Sequence, residues 1–370
     1  MSGITVSKKE PQTQSALSVM DQMSAFNHEQ VMFCNDNDVQ LKAIICIHNT
    51  TLGPALGGTR MWNYATEQEA LTDVLRLSRG MTYKSAVAGI NLGGGKAVII
   101  GDPKKIKTEA LLRSYGKFID NLGGKYITAE DVSMNSKDME IIRMETEYVT
   151  GLPESMGGSG DPSPVTAMGV WMGMKASAKE VYGNDSLNGK KVIVQGLGNV
   201  GRHLIDYLSK ENAEILIYDI DAEKVKDISK KYKVKVLAAD ELYSADADIY
   251  APCALGATVN PKTIEQLKVK IICGSANNQL ENEERDGRLV EEKGILYAPD
   301  FVVNAGGIIN VYYELEGYNR ERALAHAEKI YGTTARIFDI AKKEKLPTYL
   351  AANRLAEERI NAIAKLSARL

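Results

Sequence analysis

The chain has 370 residues, which at roughly 100–200 residues per domain implies about two domains. Apolar residues make up 44% and charged residues 25%, a globular mixture that can bury a core without disulfide or metal staples. Forty-five basic residues stand against 48 acidic ones, and the net charge of −3 argues against a nucleic-acid or anionic-membrane partner.

The first twenty residues are polar and contain Pro11. They lack the apolar core of a signal peptide, and no apolar run approaches the roughly 18 residues of a membrane span, so a cytoplasmic protein with a loose N-terminus is expected. Cys34, Cys46, Cys253 and Cys273 form no CxxC pair and sit in or beside apolar runs, which reads as free thiols. His28, His48, His203 and His326 are scattered, with no metal-binding spacing. Acid–base chemistry then falls to Lys, Asp or Glu.

In chain order, residues 31–47 read as strands, with VQLKAIICIH (39–48) rich in β-branched residues. TLGPALGGTRMW (51–62) is punctuated by Gly and Pro and reads as loop or tight turn. Thr66 and Glu69 form a capping-box pattern ahead of Leu71, Val74, Leu75 and Ser78, predicting a helix. KAVII (96–100) reads as a strand. Leu111, Leu112, Tyr115, Phe118, Ile119 and Leu122 repeat at helical spacing up to Gly123-Gly124, and KYIT (125–128) is a further strand.

Residues 151–166, dense in Gly, Pro and Ser, mark a hinge or domain boundary. A helix is expected from Thr166 to about Val181. Strands at 191–195, 214–219, 248–252, 270–274 and 295–299 alternate with helical patterns, the signature of a parallel, doubly wound sheet. In the tail from Thr348, Leu355, Ile360, Ile363 and Leu366 share one helical stripe that is expected to pack back on the body.

Gly196-Leu197-Gly198-Asn199-Val200-Gly201 is a full GxGxxG that follows an apolar strand and opens a helix. A second strand ends at Asp219, eighteen residues past Gly201. Gly196 allows the tight turn, Gly198 the approach of a pyrophosphate, and Gly201 close helix–strand packing; the helix N-terminus offers free N–H groups. Asp219 would accept bonds from ribose hydroxyls and repel a 2′-phosphate, favouring NAD over NADP. The alternative is a glycine turn that binds nothing.

Lys84 in GMTYKS and Lys96 in LGGGK form a second cluster. The latter is no Walker A loop, because Ile90 and Ala97 stand where glycine and Ser/Thr are required. Glycines 93–95 would let a substrate or nicotinamide approach the backbone, and Lys96 would emerge into a cleft with its pKa lowered. The alternative is a pair of solvated surface lysines. Asp131 at a strand's carboxyl end suits proton handling, or else caps a helix near Ser133. Asn277-Asn278 and Asn304-Ala305-Gly306-Gly307 follow late strands and would face the same cleft, or serve as turns.

With these residues assembled, LGPALGGTRMW, GMTYK, NLGGGKAVIIGDP, GGKYITAEDV, GSGDPSPVTAMGV, APCALGATVN, ANNQL and APDFVVNAGGIINV resemble the glutamate/leucine/phenylalanine/valine amino-acid dehydrogenases, nearest to the leucine-specific members, over about residues 25–365. The resemblance implies two α/β domains separated by a cleft. One is a substrate-binding domain (1–150, joined by a C-terminal helix at 348–370), the other an NAD-binding Rossmann domain (151–347). It implies that Lys84 holds the substrate α-carboxylate, Lys96 activates the attacking water, Asp131 shuttles protons to the nitrogen, Thr166 binds the nicotinamide carboxamide, and Asn278 lies near the nicotinamide ribose and substrate. The implied reaction is reversible oxidative deamination with NAD, in a homo-oligomer, either octamer or dimer.

Glutamate-specific relatives carry lysine just before the Gly-Gly of the first motif. Here that position is Leu56, before Gly57-Gly58, and the other matching pocket positions are Ala129, Ile308 and Val311. A buried carboxylate there would lack a partner, at a cost of several kcal/mol, so a branched aliphatic side chain fits. Ile308 departs from the valine common in leucine-specific members and favours a smaller chain by about 1–3 kcal/mol at most. The small Ala129 leaves phenylalanine open. A catalytically silent NAD-binding scaffold is the reading of another class, and the joint presence of Lys84, Lys96 and Asp131 argues against it.

Overall fold

The computed structural model describes residues 18–367. The polar N-terminal stretch expected to be loose lies outside the described residues, apart from Ser18 to Met20. The first sheet contains six strands: β1 (Gln30–Asp36), β2 (Leu41–Asn49), β3 (Ala55–Leu56), β4 (Thr59–Trp62), β5 (Gly93–Ile100) and β6 (Tyr126–Ile127). Their order is β1-β2-β5-β3-β6, with β4 also pairing β5. β1, β2 and β5 run antiparallel to their neighbours in that series, whereas β3 and β4 lie parallel to β5.

The segment 51–62 is therefore loop only in part: residues 51–54 turn, and Ala55–Leu56 and Thr59–Trp62 are strands. Gly57 and Gly58 do not break the sheet; they permit it. A Cβ on Gly57 would lie 1.7 Å from the Gly95 carbonyl oxygen, and one on Gly58 would lie 2.2 Å from that of Glu130. Glycine is the one residue that lets these backbones close.

The two-residue period of β5 sorts its side chains. Ala97 and Ile99 face the helix Glu109–Asp120, packing with Leu111, Leu112 and Tyr115. Val98 faces the helix Glu67–Ala88, packing with Val74 and Leu75. Lys96 shares the parity of Val98 and so lies on the side of the helix that carries Lys84. The Thr66 hydroxyl caps that helix by accepting from the Glu69 N–H at 3.1 Å.

The second sheet is parallel throughout: β7 (Lys191–Gln195), β8 (Glu214–Tyr218), β9 (Val234–Val236), β10 (Ile249–Pro252), β11 (Ile271–Ile272) and β12 (Leu296–Tyr297), in the order β12-β11-β10-β7-β8-β9. Counted from β7 this is 3-2-1-4-5-6 from one edge, the doubly wound dinucleotide order, whose crevice opens where the order reverses beside β7. The short edge strand β9, in a Lys-Val alternation with Val236 exposed, was not expected from the sequence.

The helix expected from Thr166 starts at Ser163, with Pro164 in its first turn, and runs to Tyr182. An apolar cluster crosses between the two halves: Leu56, Ala88, Ile90 and Ile127 from the first pack with Val165, Met168, Ala305 and Ile308 from the second. The last helix, Thr348–Ser367, lies along Glu67–Ala88. Arg359 donates to the carbonyls of Ser85, Ala86 and Ile90 at 3.2, 3.2 and 2.7 Å. Its expected apolar stripe is only half used. Leu355 is buried with Ala351, Ala352 and Ala356, whereas Ile363 and Leu366 are exposed because the helix has run past the body.

Candidate active site

Lys96 is nearly buried in the middle of β5, and its Nζ lies 3.1 Å from Asp131 Oδ2. The same oxygen accepts from Arg60 Nε at 2.8 Å. Arg60 NH1 donates in turn to Asp73 Oδ2 at 3.0 Å, as does the Tyr64 hydroxyl at 2.7 Å. With both cations on Oδ2, Oδ1 of Asp131 accepts no hydrogen bond among the described residues. Asp131 is not a helix cap, since Asn135 caps the helix Ser136–Arg143. It follows the parallel bridge of Thr59 to Glu130, which continues β6 toward the cleft.

Burial pushes the Asp131 carboxyl up, but Lys96 and Arg60 overcome it and hold the group below the usual carboxylate range. Burial lowers the Lys96 ammonium. Asp131 opposes that shift and Arg60 reinforces it.

Lys84 projects from the last turns of the helix Glu67–Ala88. Its Nζ makes no hydrogen bond or ion pair among the described residues, while its charge interacts with Lys96, Asp131 and Asp300. Burial lowers it to about 8, with Lys96 adding to the fall and Asp300 and Asp131 resisting. A value near 8 leaves the ammonium form predominant at neutral pH. The two lysines thus share one electrostatic neighbourhood with Asp131. They are not solvated surface groups.

The glycines before Lys96 serve another purpose than expected. They are strand residues, and Cβ atoms on them would lie 2.1 Å from the Asn49 carbonyl (Gly93), 2.1 Å from the Thr82 amide (Gly94) and 2.7 Å from the Tyr126 ring (Gly95). They clear space for neighbouring protein rather than for a ligand, and they let the Lys84 helix settle onto the strand that carries Lys96.

Three of the proposed side-chain pocket residues meet. Leu56, Ile308 and Val311 belong to the apolar cluster between the two halves. Ala129 is not in it; it lies half-buried two residues before Asp131, its carbonyl accepting from Thr59 N–H at 2.9 Å.

The three glycines of GxGxxG occupy distinct environments. Gly196 has φ 104°, a left-handed turn. A Cβ on Gly201 would lie 2.1 Å from the Gly196 oxygen, the close packing expected there. A Cβ on Gly198 would meet nothing within 4 Å, so open space lies before the helix Asn199–Lys210, and the N–H groups of Asn199 and Val200 have no acceptor among the described residues. This donor-rich cradle fits a pyrophosphate. Asp219 closes its rim, with Oδ2 accepting from Leu197 N–H at 2.7 Å and Oδ1 from Asp221 N–H at 2.9 Å. Burial raises its pKa, and these N–H groups together with Lys224 reverse the shift.

Thr166 is buried beside Gly307, its hydroxyl donating to the Pro162 carbonyl at 3.0 Å. Asn278 is exposed, with φ 51°, and lines a cavity of about 560 Å³ shared by Tyr83 of the first half and Asp300 of the second. Asn304 joins the two asparagine segments, donating to Asn277 Oδ1 at 2.8 Å. The cysteines are free thiols; Cys34 and Cys46 are pushed up to about 12 by burial.

Comparison with known proteins now decides the lineage. Residues 28–148 match the Glu/Leu/Phe/Val dehydrogenase dimerisation domain, and residues 157–221 and 213–366 match the Glutamate/Leucine/Phenylalanine/Valine dehydrogenase domain. The chain belongs to this family. It is 56% identical to the leucine dehydrogenase of Thermoactinomyces intermedius, over 94% of this chain and 95% of that one. It is also 49% identical to the phenylalanine dehydrogenase of Caldalkalibacillus thermarum, over 94% of each. The crystal structure of L-tryptophan dehydrogenase from Nostoc punctiforme superposes with a TM-score of 0.85 at 46% identity, covering 94% of this chain and 99% of that one.

As an amino-acid dehydrogenase of a family that uses NAD(P), the chain has two further residues that the sequence reading passed over. Arg60 was assigned to a loop; its place in β4, alternating with buried Thr59 and Met61, is the signal that would have found it. Asp300, half-buried at the cavity, accepts from Gln279 N–H at 2.9 Å and interacts through its charge with Lys84. Burial raises its carboxyl; the Gln279 N–H and Lys84 resist. Among the described residues, no helix is long and apolar enough to cross a membrane.

Proposed function

We propose that this amino-acid dehydrogenase is NAD-dependent and reversibly deaminates branched-chain L-amino acids, leucine with valine and isoleucine, to 2-oxo acids and ammonia. The observation that carries the reading is the meeting of Leu56, Ile308 and Val311 in one apolar cluster between the halves of a molecule whose Lys84, Lys96 and Asp131 share one ionic site. A substrate with a charged side chain would find no partner in that cluster.

In this mechanism Lys84 receives the α-carboxylate, and the backbone around Gly57-Gly58 and Asn278 flanks the substrate. Gly196, Gly198, Asn199, Val200, Gly201 and Asp219 would hold the dinucleotide, and Thr166 and Asn278 would meet its nicotinamide end. Bound there, NAD supplies the hydride acceptor for the substrate Cα. Lys96, lowered by burial, takes a proton from the water that adds to the resulting iminium carbon. Asp131, held ionised by Lys96 and Arg60, accepts and returns protons at the nitrogen through its free Oδ1, and the tetrahedral adduct expels ammonia. Asp219 supports NAD over NADP, because its carboxylate stands where a 2′-phosphate would be repelled. The dimerisation domain in the family match supports a homo-oligomer, dimer or octamer, and the free thiols suit the cytoplasm.

The test is NADH formation with NAD or NADP and a panel of L-amino acids and 2-hydroxy acids. Highest kcat/KM on leucine, valine or isoleucine with NAD is expected. Preference for phenylalanine or tryptophan, or activity on hydroxy acids alone, would overturn the reading.

A further inference from the structure

The helix Gly306–Leu315 carries both Ile308 and Val311, and it carries something else. Glu314, on the same helix, accepts four hydrogen bonds from the segment that joins the two halves. Its Oε2 receives Gly151 N–H at 3.1 Å, Ser159 N–H at 3.0 Å and the Ser159 hydroxyl at 2.7 Å, while its Oε1 receives Leu152 N–H at 3.1 Å. One turn earlier Asn310, fully buried, donates to the Ser159 carbonyl at 3.4 Å and accepts from the Tyr318 hydroxyl at 2.7 Å. Asn310 and Glu314 are four residues apart and lie on one face. At 100° per residue, Val311 lies about 60–100° round the helix from them and Ile308 about 120–160°, so both project from other faces. The segment Gly151–Ser159 and the apolar cluster therefore grip the same short helix from two sides.

The arrangement is specific in its chemistry. Three backbone N–H groups and one hydroxyl converge on a single carboxylate, and charge-assisted bonds of this kind are the strong ones. No other side chain among the described residues accepts as many bonds from this segment. An apolar contact could hold the helix near the segment, but it would not fix rotation about the helix axis as four directed bonds do.

We propose that Glu314 is a positioning residue for side-chain selectivity: anchored to the segment Gly151–Ser159, it sets the rotation of the helix Gly306–Leu315 and hence how far Ile308 and Val311 reach toward the substrate side chain. This rests on the reading of Ile308 and Val311 as pocket residues. Sites lose selectivity when their supporting residues let them drift by about 0.5 Å or 10–20°. Glu314→Gln places an amide N–H₂ where one carboxylate oxygen accepted, opposing donors with a donor.

The experiment measures kcat/KM for leucine and for valine, and KM for NAD, in the wild type, Glu314→Gln, Ile308→Val and the double variant. The ratio of leucine to valine should move by about threefold or more in Glu314→Gln, with KM for NAD within about twofold of wild type. Its effect on that ratio should not be additive with that of Ile308→Val. Equal loss on both substrates, or additive effects, would make Glu314 merely structural and overturn the proposal. If Ile308→Val leaves the ratio unchanged, the pocket reading itself fails and the proposal with it. Should Glu314→Gln not fold, Ser159→Ala removes one of the four bonds. A smaller shift of the ratio in the same direction as the pocket variant is then expected, and an unchanged ratio overturns the proposal.

Discussion

Replacing Arg60 by alanine removes the cation that shares Asp131 Oδ2 with Lys96. The Arg60–Asp131 contact, at 2.8 Å between side chains 23% and 24% exposed, is a charge-assisted bond in a half-buried setting. Such bonds contribute about 1.5–3 kcal/mol, so kcat for leucine should fall roughly tenfold to a hundredfold. KM for NAD should hold, because Arg60 lies in the first sheet, away from the glycine cradle. The pH profile carries a separate signature. Asp131 has a depressed pKa, so its active, ionised form is kept down to low pH and lost as pH falls through that value. Without Arg60 the depression shrinks, and the acid limb of kcat/KM should move to higher pH. Arg60→Lys should recover only part of the loss, since one ammonium cannot span Asp131 and Asp73 as the guanidinium does. The assay is initial-rate NADH absorbance across pH. An unchanged kcat with an unmoved acid limb would refute the assignment of Arg60 as the group that holds Asp131.

Gly198→Ala should leave thermal stability unchanged, because the added methyl meets nothing within 4 Å, yet raise KM for NAD at least about tenfold; calorimetry beside kinetics separates the two, and unchanged KM would remove the glycine from cofactor binding. Asp219→Ser should narrow the NAD-to-NADP ratio of kcat/KM by about tenfold or more, since one charge at the rim of the cradle is lost; an unchanged ratio counts against its role. His48 is buried, bonded to the Thr82 hydroxyl at 2.7 Å and the Phe26 carbonyl at 3.0 Å, and burial, with the adjacent His28, lowers it to about 4. The unfolded chain binds that proton more readily, so stability should decline by up to about 3 kcal/mol as pH falls from about 6.5 to 4. Urea midpoints in that window, compared between wild type and His48→Gln, check this; equal slopes would contradict it.

The parts of the molecule that were legible from sequence are those in which one residue type has one physical use. GxGxxG between a strand and a helix announced the cradle, and Asp219 its rim. Lys84 and Lys96 stood out in their glycine-containing motifs and Asp131 at a strand's carboxyl end, although surface lysines and a helix cap were equally compatible with those patterns. The strands β3 and β4 were hidden because Gly57 and Gly58 serve close sheet packing, while glycine ordinarily signals a turn. Glycines 93–95 misled for the same reason: their use depends on Thr82, Asn49 and Tyr126, distant in sequence. Asp300 had no local pattern, and the alternation that marks Arg60 was hidden behind Gly57 and Gly58. Each matters through partners seventy-one or twenty-one residues away, Asp131 and Gln279, which only the fold brings near.

The most direct measurement is turnover of L-leucine by Lys96→Ala, with NADH binding followed in parallel by fluorescence titration. With Lys96, buried and 3.1 Å from Asp131, as the proposed base, kcat should drop by about a thousandfold or more with NADH affinity intact. A variant that binds NADH normally and keeps a tenth or more of the wild-type kcat would show that the chemistry happens elsewhere.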